Sequence, residues 1–155
     1  MSARPERYWR GQGVEILLVE DNPDDEELTL ITLEQNNIAN LVKVIHDGAE
    51  ALDYLFGTGD YHRPDAAHYP HLILLDLKLP KISGIEVLEQ IKHDERTRMI
   101  PVVILTSSRE EPDIKRCYLL GANSYIVKPV DFEQFRQAIK QLGLYWQLLN
   151  QPPSN

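Results

Sequence analysis

Five short, nearly continuous apolar runs limit what this chain can fold into. They lie at residues 14–19, 41–46, 71–76, 101–106 and 124–127. Strands that are apolar along their whole length are typical of a parallel sheet covered on both faces. Parallel neighbours need crossover connections, and the segments between these runs are long enough to supply them as helices. The sequence therefore predicts an α/β fold, a doubly wound five-stranded parallel sheet with helices on both faces.

Helix signals occupy the segments between the runs. Asn22-Pro23, followed by four carboxylates, combines a capping Asn, Pro at the first helical position and acid in the first turn. We expect helices at 23–36, 49–56, from Gly84, at 112–120 and from Phe132. The segment 58–70 is rich in Gly, Pro, His and Asp, and it is predicted to be an inserted loop.

Composition narrows the class of function. The 155 residues include 16 Lys and Arg against 24 Asp and Glu, a net charge of −8. Such a surface repels nucleic acid and anionic lipid, so we expect neither nucleic acid nor membrane as a partner. The single cysteine, Cys117, excludes an internal disulfide and is expected in the core. No apolar run reaches the roughly 20 residues of a membrane helix, and we expect a cytoplasmic protein.

The ends of four predicted strands carry reactive side chains. Glu20 and Asp21 end the first strand, Asp76 the third and Thr106 the fourth, while Lys128 follows the fifth. In open α/β sheets, ligands bind at this edge, where the strand order reverses. Each residue alone is explained by helix capping or a turn. Capping preferences do not explain four strand ends that bring acids, a hydroxyl and an amine to one edge.

If the first strand lies beside the third, as in the flavodoxin-like order 2-1-3-4-5, Glu20, Asp21 and Asp76 meet in one crevice. Two charges about 4 Å apart repel by about 4 kcal/mol at an effective dielectric constant near 20, so a cation or a raised pKa is required. Hard oxygen ligands favour Mg²⁺. Asp76 is the candidate nucleophile for an aspartyl-phosphate, with Lys128 and Thr106 balancing the phosphoryl oxygens.

Four segments, VEILLVEDNPDD, LILLDLKLPKISGIEVL, IPVVILTSS and GANSYIVKPVDFEQF, resemble the receiver domain of two-component response regulators, the CheY-like family. The resemblance implies that Asp76 is the phosphoacceptor. It also implies that Asp21, Asp76 and the main-chain carbonyl of Lys78 bind Mg²⁺, with Glu20 acting through water. The acid pair is Glu-Asp where many relatives have Asp-Asp.

The same resemblance assigns Thr106 as the switch hydroxyl, Lys128 as the phosphate partner and Tyr125 as the switch aromatic. It implies a cis Lys128-Pro129 bond. The function implied is a response regulator that accepts a phosphoryl group from a histidine kinase and signals through protein contacts. The chain then divides into an N-terminal extension at 1–13, the receiver domain at 14–142 and a C-terminal tail at 143–155, with no output domain.

A narrower resemblance involves the insertion at 58–70, the segment LDLKLPKISG and the ending GLYWQLLNQPP. These features look like the small response regulators paired with bacterial, especially cyanobacterial, phytochromes. That resemblance implies a kinase attached to a bilin photoreceptor as the phosphodonor.

Two other functions use related features. A flavin carrier needs a phosphate-binding loop after the first strand, but the acidic EDNPDDEE found there repels phosphate. A phosphatase with an aspartyl-phosphate intermediate often needs an acid two residues past the nucleophile, where this chain has Lys78. We therefore expect a signalling protein and not an enzyme.

Apolar residues near the C-terminus predict an assembly surface. An apolar stripe at helical spacing, together with the adjacent Tyr145, forms the predicted homodimer interface: Phe135, Ile139, Leu142, Tyr145, Trp146 and Leu149. The alternative is that Gly143 ends the helix and the tail folds back over its own domain.

Overall fold

The computed structural model describes residues 16–38, 42–61 and 69–143. Its strands are β1 (Ile16–Val19), β2 (Val42–Ile45), β3 (Leu72–Leu75), β4 (Val102–Thr106) and β5 (Ser124–Val127). Its helices are α1 (Pro23–Gln35), α2 (Gly48–Phe56), α3 (Gly84–His93), α4 (Glu111–Leu120) and α5 (Phe132–Gln141). The predicted elements all form, and most ends lie within a residue or two of the expected positions.

The strands form one sheet in the order β2-β1-β3-β4-β5, and all its neighbours are parallel. The predicted fold class and strand order are therefore confirmed. Val19 of β1 pairs with Leu75 of β3 in register. This pairing brings the residues that follow these two strands to the same edge of the sheet.

Helices cover both faces of the sheet, and alternate strand residues face each side. Leu17, Val19, Ile73 and Leu75 pack in a cluster with residues of α2, α3 and α4. Ile16 and Leu18, with Leu72 and Leu74, pack on the other side against α1 and α5. This two-sided burial explains why the strand sequences are apolar throughout.

Cys117 of α4 belongs to the first of these clusters and is fully buried. Burial raises the pKa of its thiol to about 11, so the reactive thiolate is scarce at neutral pH. The expectation that Cys117 is a small core residue is confirmed.

The expectation that Phe135 and Ile139 belong to a dimer interface is wrong. Phe135 and Ile139 have no exposed surface and pack in the cluster beneath α5, which leaves them nothing to offer a partner. The helix ends at Gln141, and Gly143 follows with a left-handed φ of 73°. Within the described residues, the helical part of the stripe therefore ends before Gly143. Tyr145, Trp146 and Leu149 lie outside the described residues.

The loop between β3 and α3 (residues 76–83) packs closely against two helix starts. A Cβ at Gly84 would overlap the main-chain oxygen of Asp76, and one at Gly48 would overlap that of Ile82. The Gly84 amide also donates to the Leu77 carbonyl at 2.8 Å. Glycine at these positions therefore fixes the backbone that directly follows Asp76.

We expect Gly84→Ala to lower the free energy of unfolding by about 2 kcal/mol or more, because backbone must move to admit the methyl group. Urea unfolding measures the change. Gln90→Ala, at an exposed position of the same helix, should stay within about 0.5 kcal/mol of wild type. Equal stabilities for the two variants would show that the loop is not closely packed.

Candidate functional site

Three carboxylates meet beyond the ends of β1 and β3. One oxygen from each of Glu20, Asp21 and Asp76 lies within 4.8 Å of the others. The sheet register produces this arrangement, because the Asp76 amide donates to the Val19 carbonyl at 3.1 Å and continues the pairing of the two strands. The predicted convergence of these residues is found in the structure.

The three acids differ in exposure. Glu20 is fully buried, Asp76 is 6% exposed, and Asp21 is exposed. Glu20 accepts a hydrogen bond from the Asn22 amide at 3.2 Å. Burial, with repulsion from Asp76, raises the pKa of Glu20 to about 7, although contact with Lys128 opposes the shift. The charged form of Glu20 is thus disfavoured unless a cation lies close to it.

Lys128 supplies the cation of the site. Its Nζ lies 2.6 Å from Glu20 Oε1, 2.9 Å from Asp25 Oδ2 and 3.2 Å from Asp76 Oδ2. Burial alone would lower its pKa, but the nearby carboxylates of Glu20 and Asp25 raise it to about 12. Lys128 is therefore a permanent cation, shared among three acids.

The backbone directs Lys128 into the site. Its amide donates to the Thr106 carbonyl at 2.8 Å, which joins the ends of β4 and β5. The Lys128-Pro129 peptide bond is cis, as the family resemblance implies.

Asp25 is the site residue that sequence reasoning missed. The sequence places Asp25 in the acidic first turn of α1, and its amide donates to the Asn22 cap at 3.0 Å. Its carboxylate, however, reaches Lys128, which lies 103 residues further along the chain. The sequence signal that indicates this role is the Asn22 cap. The cap holds the first turn of α1 in place and so determines the direction of the Asp25 side chain.

The remaining predicted site residues are Thr106, Tyr125 and Lys78, and their contacts differ. Thr106 is fully buried at the end of β4, and its hydroxyl oxygen accepts from the Ser108 amide at 3.4 Å. The Tyr125 hydroxyl donates to the Ser108 carbonyl at 3.0 Å. Within the described ranges, no hydrogen bond joins Thr106 or Tyr125 to Asp76. The Lys78 amide lies 3.4 Å from Asp76 Oδ1, and the Lys78 side chain is exposed.

The acidic cluster fits a divalent cation. Among the described residues, Glu20 Oε1 is a buried oxygen without a well-directed hydrogen bond, even though Lys128 Nζ lies close to it. The donors that converge here are hard carboxylate oxygens, the type preferred by Mg²⁺ and Mn²⁺.

Comparison with known proteins agrees with this geometry. The family model for the response regulator receiver domain matches residues 16–140, and the chain belongs to that family. It is a response regulator of the two-component type, related to those associated with phytochromes. Receiver domains bind a divalent metal and take part in signalling with a histidine kinase, and no enzymatic family is indicated.

Three relatives illustrate the similarity. The structure of the bacteriophytochrome response regulator AtBRR is 57% identical with a TM-score of 0.77, covering 90% of this chain and 99% of that chain. The phosphorylated cyanobacterial phytochrome response regulator RcpA is 39% identical with a TM-score of 0.72, covering 92% and 99%. Response regulator Rcp1 of Synechocystis sp. is 36% identical over 84% of this chain and 87% of its own. The Mn²⁺-bound form of Rcp1 has a TM-score of 0.70 at 34% identity, covering 91% of this chain and 99% of that chain.

None of the helices in the described parts of the chain is long and apolar enough to cross a membrane.

We expect Asp21→Asn to raise the unfolding temperature in chelator, because it removes one of three mutually repelling carboxylates, an effect of about 0.5–1 kcal/mol for an exposed group. Added Mg²⁺ should stabilise the wild type and leave this variant nearly unchanged. Thermal unfolding with and without Mg²⁺ measures both effects.

Asp24→Asn is the matched control, since Asp24 is exposed, lies in the same acidic segment and is outside the carboxylate cluster. This variant should keep the full response to Mg²⁺. A full response from Asp21→Asn would contradict its assignment to the metal site.

Proposed function

We propose that Asp76 is the phosphoacceptor of this response regulator. The observation that carries the proposal is the place of Asp76: it follows the central strand β3, beside Lys128 Nζ at 3.2 Å and within the acidic cluster. One oxygen faces a permanent cation and the other lies near the Lys78 amide. The carboxylate is thus held by groups that also suit phosphoryl oxygens.

In the proposed reaction, an Asp76 oxygen attacks the phosphorus of a phosphohistidine on the kinase. The new O–P bond forms as the P–N bond breaks, and the electron pair leaves with the imidazole nitrogen. Lys128 balances charge on the transferred oxygens. Asp21, Asp76 and the Lys78 carbonyl, with Glu20 acting through water, would hold a Mg²⁺ ion, which would supply further positive charge to the transferred oxygens.

Thr106 and Tyr125 are proposed to respond to the charge that phosphorylation of Asp76 adds. Phosphorylation adds about −1.5 to −2 charges at neutral pH, which attract Lys128 and the Thr106 hydroxyl. Thr106 already lies against Ser108, whose carbonyl holds Tyr125. The change can therefore reach the surface around α4 and β5, where a target protein is contacted. The protein is proposed to modify itself without turning over a substrate.

The proposed phosphodonor is a phytochrome histidine kinase in the cytoplasm. Support comes from the similarity to AtBRR and RcpA, both described as regulators of phytochrome systems.

Acetyl phosphate with Mg²⁺ should add one phosphoryl group to the wild type and none to Asp76→Asn, because the amide is not a nucleophile for this step. Intact-protein mass spectrometry measures the addition. Asp24→Asn should be labelled like the wild type, and labelling of Asp76→Asn to the wild-type level would rule out the assignment.

Short-time phosphotransfer from the histidine kinases of the source organism identifies the donor. We expect a bilin-binding kinase to transfer fastest, with the other kinases at least about tenfold slower, a difference of about 1.4 kcal/mol in the transition state. A faster transfer from a kinase without a bilin would overturn the proposed partner.

The chain is further proposed to form a homodimer through its C-terminal tail, with Leu142, Tyr145, Trp146 and Leu149 as the apolar contacts. Support comes from the apolar composition of this tail, since patches of this kind usually mark interfaces. Sedimentation at several concentrations should show a dimer that is lost on deletion of 143–155. A monomer at tens of micromolar, or a dimer that survives the deletion, would disprove the interface.

A further inference from the structure

Ser108, in the loop between β4 and α4 (residues 107–110), bonds to three parts of the structure. Its hydroxyl donates to Asp113 Oδ2 of α4 at 2.6 Å, and its carbonyl accepts from the Tyr125 hydroxyl at 3.0 Å. Its amide lies 3.4 Å from the Thr106 hydroxyl oxygen. One residue thus connects the end of β4, the first turn of α4 and β5.

The bond to Asp113 is the strongest of these contacts, because it is short and its acceptor is a carboxylate. It also takes the place of an ordinary helix cap. Glu110 occupies the capping position of α4 without a side-chain hydrogen bond, and its amide instead donates to the Ser108 hydroxyl at 3.3 Å. The start of α4 is therefore tied to the loop through Ser108 and Asp113.

The loop also lines a cavity that reaches the residues directly after the phosphoacceptor. A cavity of about 380 Å³ is lined on one side by Leu77 and Lys78, which directly follow Asp76, and on another by Ser108, Asp113 and Arg116. The bonded pair Ser108 and Asp113 thus forms part of the wall of this cavity, together with the two residues that follow Asp76. Burial raises the pKa of the Tyr125 hydroxyl, so at neutral pH it remains a donor to the same loop.

We propose that Asp113 is a positioning residue for phosphorylation. Its carboxylate holds the Ser108 hydroxyl, which fixes the loop and keeps the Thr106 hydroxyl in place at the end of β4. Asp113 acts through Ser108 and does not touch the reacting atoms. The inference rests on the proposed function, since it concerns the rate at which Asp76 is phosphorylated.

The experiment measures the rate of labelling by acetyl phosphate over a range of concentrations. Asp113→Ala should lower the maximal rate about fivefold, the size expected for the net loss of one typical hydrogen bond. The concentration for half-maximal rate should change little, because the residue positions the site. Asp113→Asn, which keeps an acceptor but no charge, should lose less.

Glu111→Ala is the matched control, because it removes an exposed carboxylate from the same helical turn. It should be labelled within about twofold of wild type. If Asp113→Ala does not fold, as judged by circular dichroism, the comparison of Asp113→Asn with Glu111→Gln takes its place.

A double-mutant cycle tests the route. Ser108→Ala should show the same loss as Asp113→Ala, and the double variant should show no further loss. Additive losses, an unchanged rate in Asp113→Ala or a faster one would each overturn the inference. Failure of the wild type to label at Asp76 would instead overturn the proposed function, so the two failures are distinguishable.

Discussion

The contact of one ammonium group with three carboxylates organises the functional edge of the sheet. Lys128 binds Glu20, Asp25 and Asp76, which come from the ends of β1 and β3 and from the first turn of α1. Without a cation these acids would repel each other by several kcal/mol at such distances. Burial, with repulsion from Asp76, raises the pKa of Glu20 even though Lys128 lies beside it. The carboxylate oxygens of Glu20, Asp21 and Asp76 also fit a divalent cation, which would balance the charge that remains.

Most of the fold was predictable because its signals are local. Apolar runs, the Asn22 cap and Gly84 each act within a few residues, and the crossover rule then limits the topology. The main site residues followed from the fold, since parallel strands end at a common edge. The role of Asp25 did not follow. It depends on how α1 is oriented relative to β5, and the sequence around Asp25 shows helix capping alone.

The prediction that Phe135 and Ile139 form an interface was wrong for a different reason. An amphipathic helix has the same spacing of apolar residues whether its apolar face covers its own sheet or a partner. Phe135 and Ile139 cover the sheet. The backbone then leaves the helical conformation at Gly143, whose φ is left-handed. The spacing of apolar residues predicts which face of the helix is apolar. What that face contacts depends on the sheet beneath it.

The location of the charge cluster at the rim of the sheet has a mechanical consequence. The sheet separates the α1 and α5 layer from the α2, α3 and α4 layer, so a signal generated within either layer would have to pass through close-packed strands. At the rim, Lys128 is attached to the first layer through Asp25, and Thr106 is attached to the second through Ser108. In the proposed phosphorylation of Asp76, one added charge therefore acts on residues attached to both helix layers, so the two layers respond to the same event.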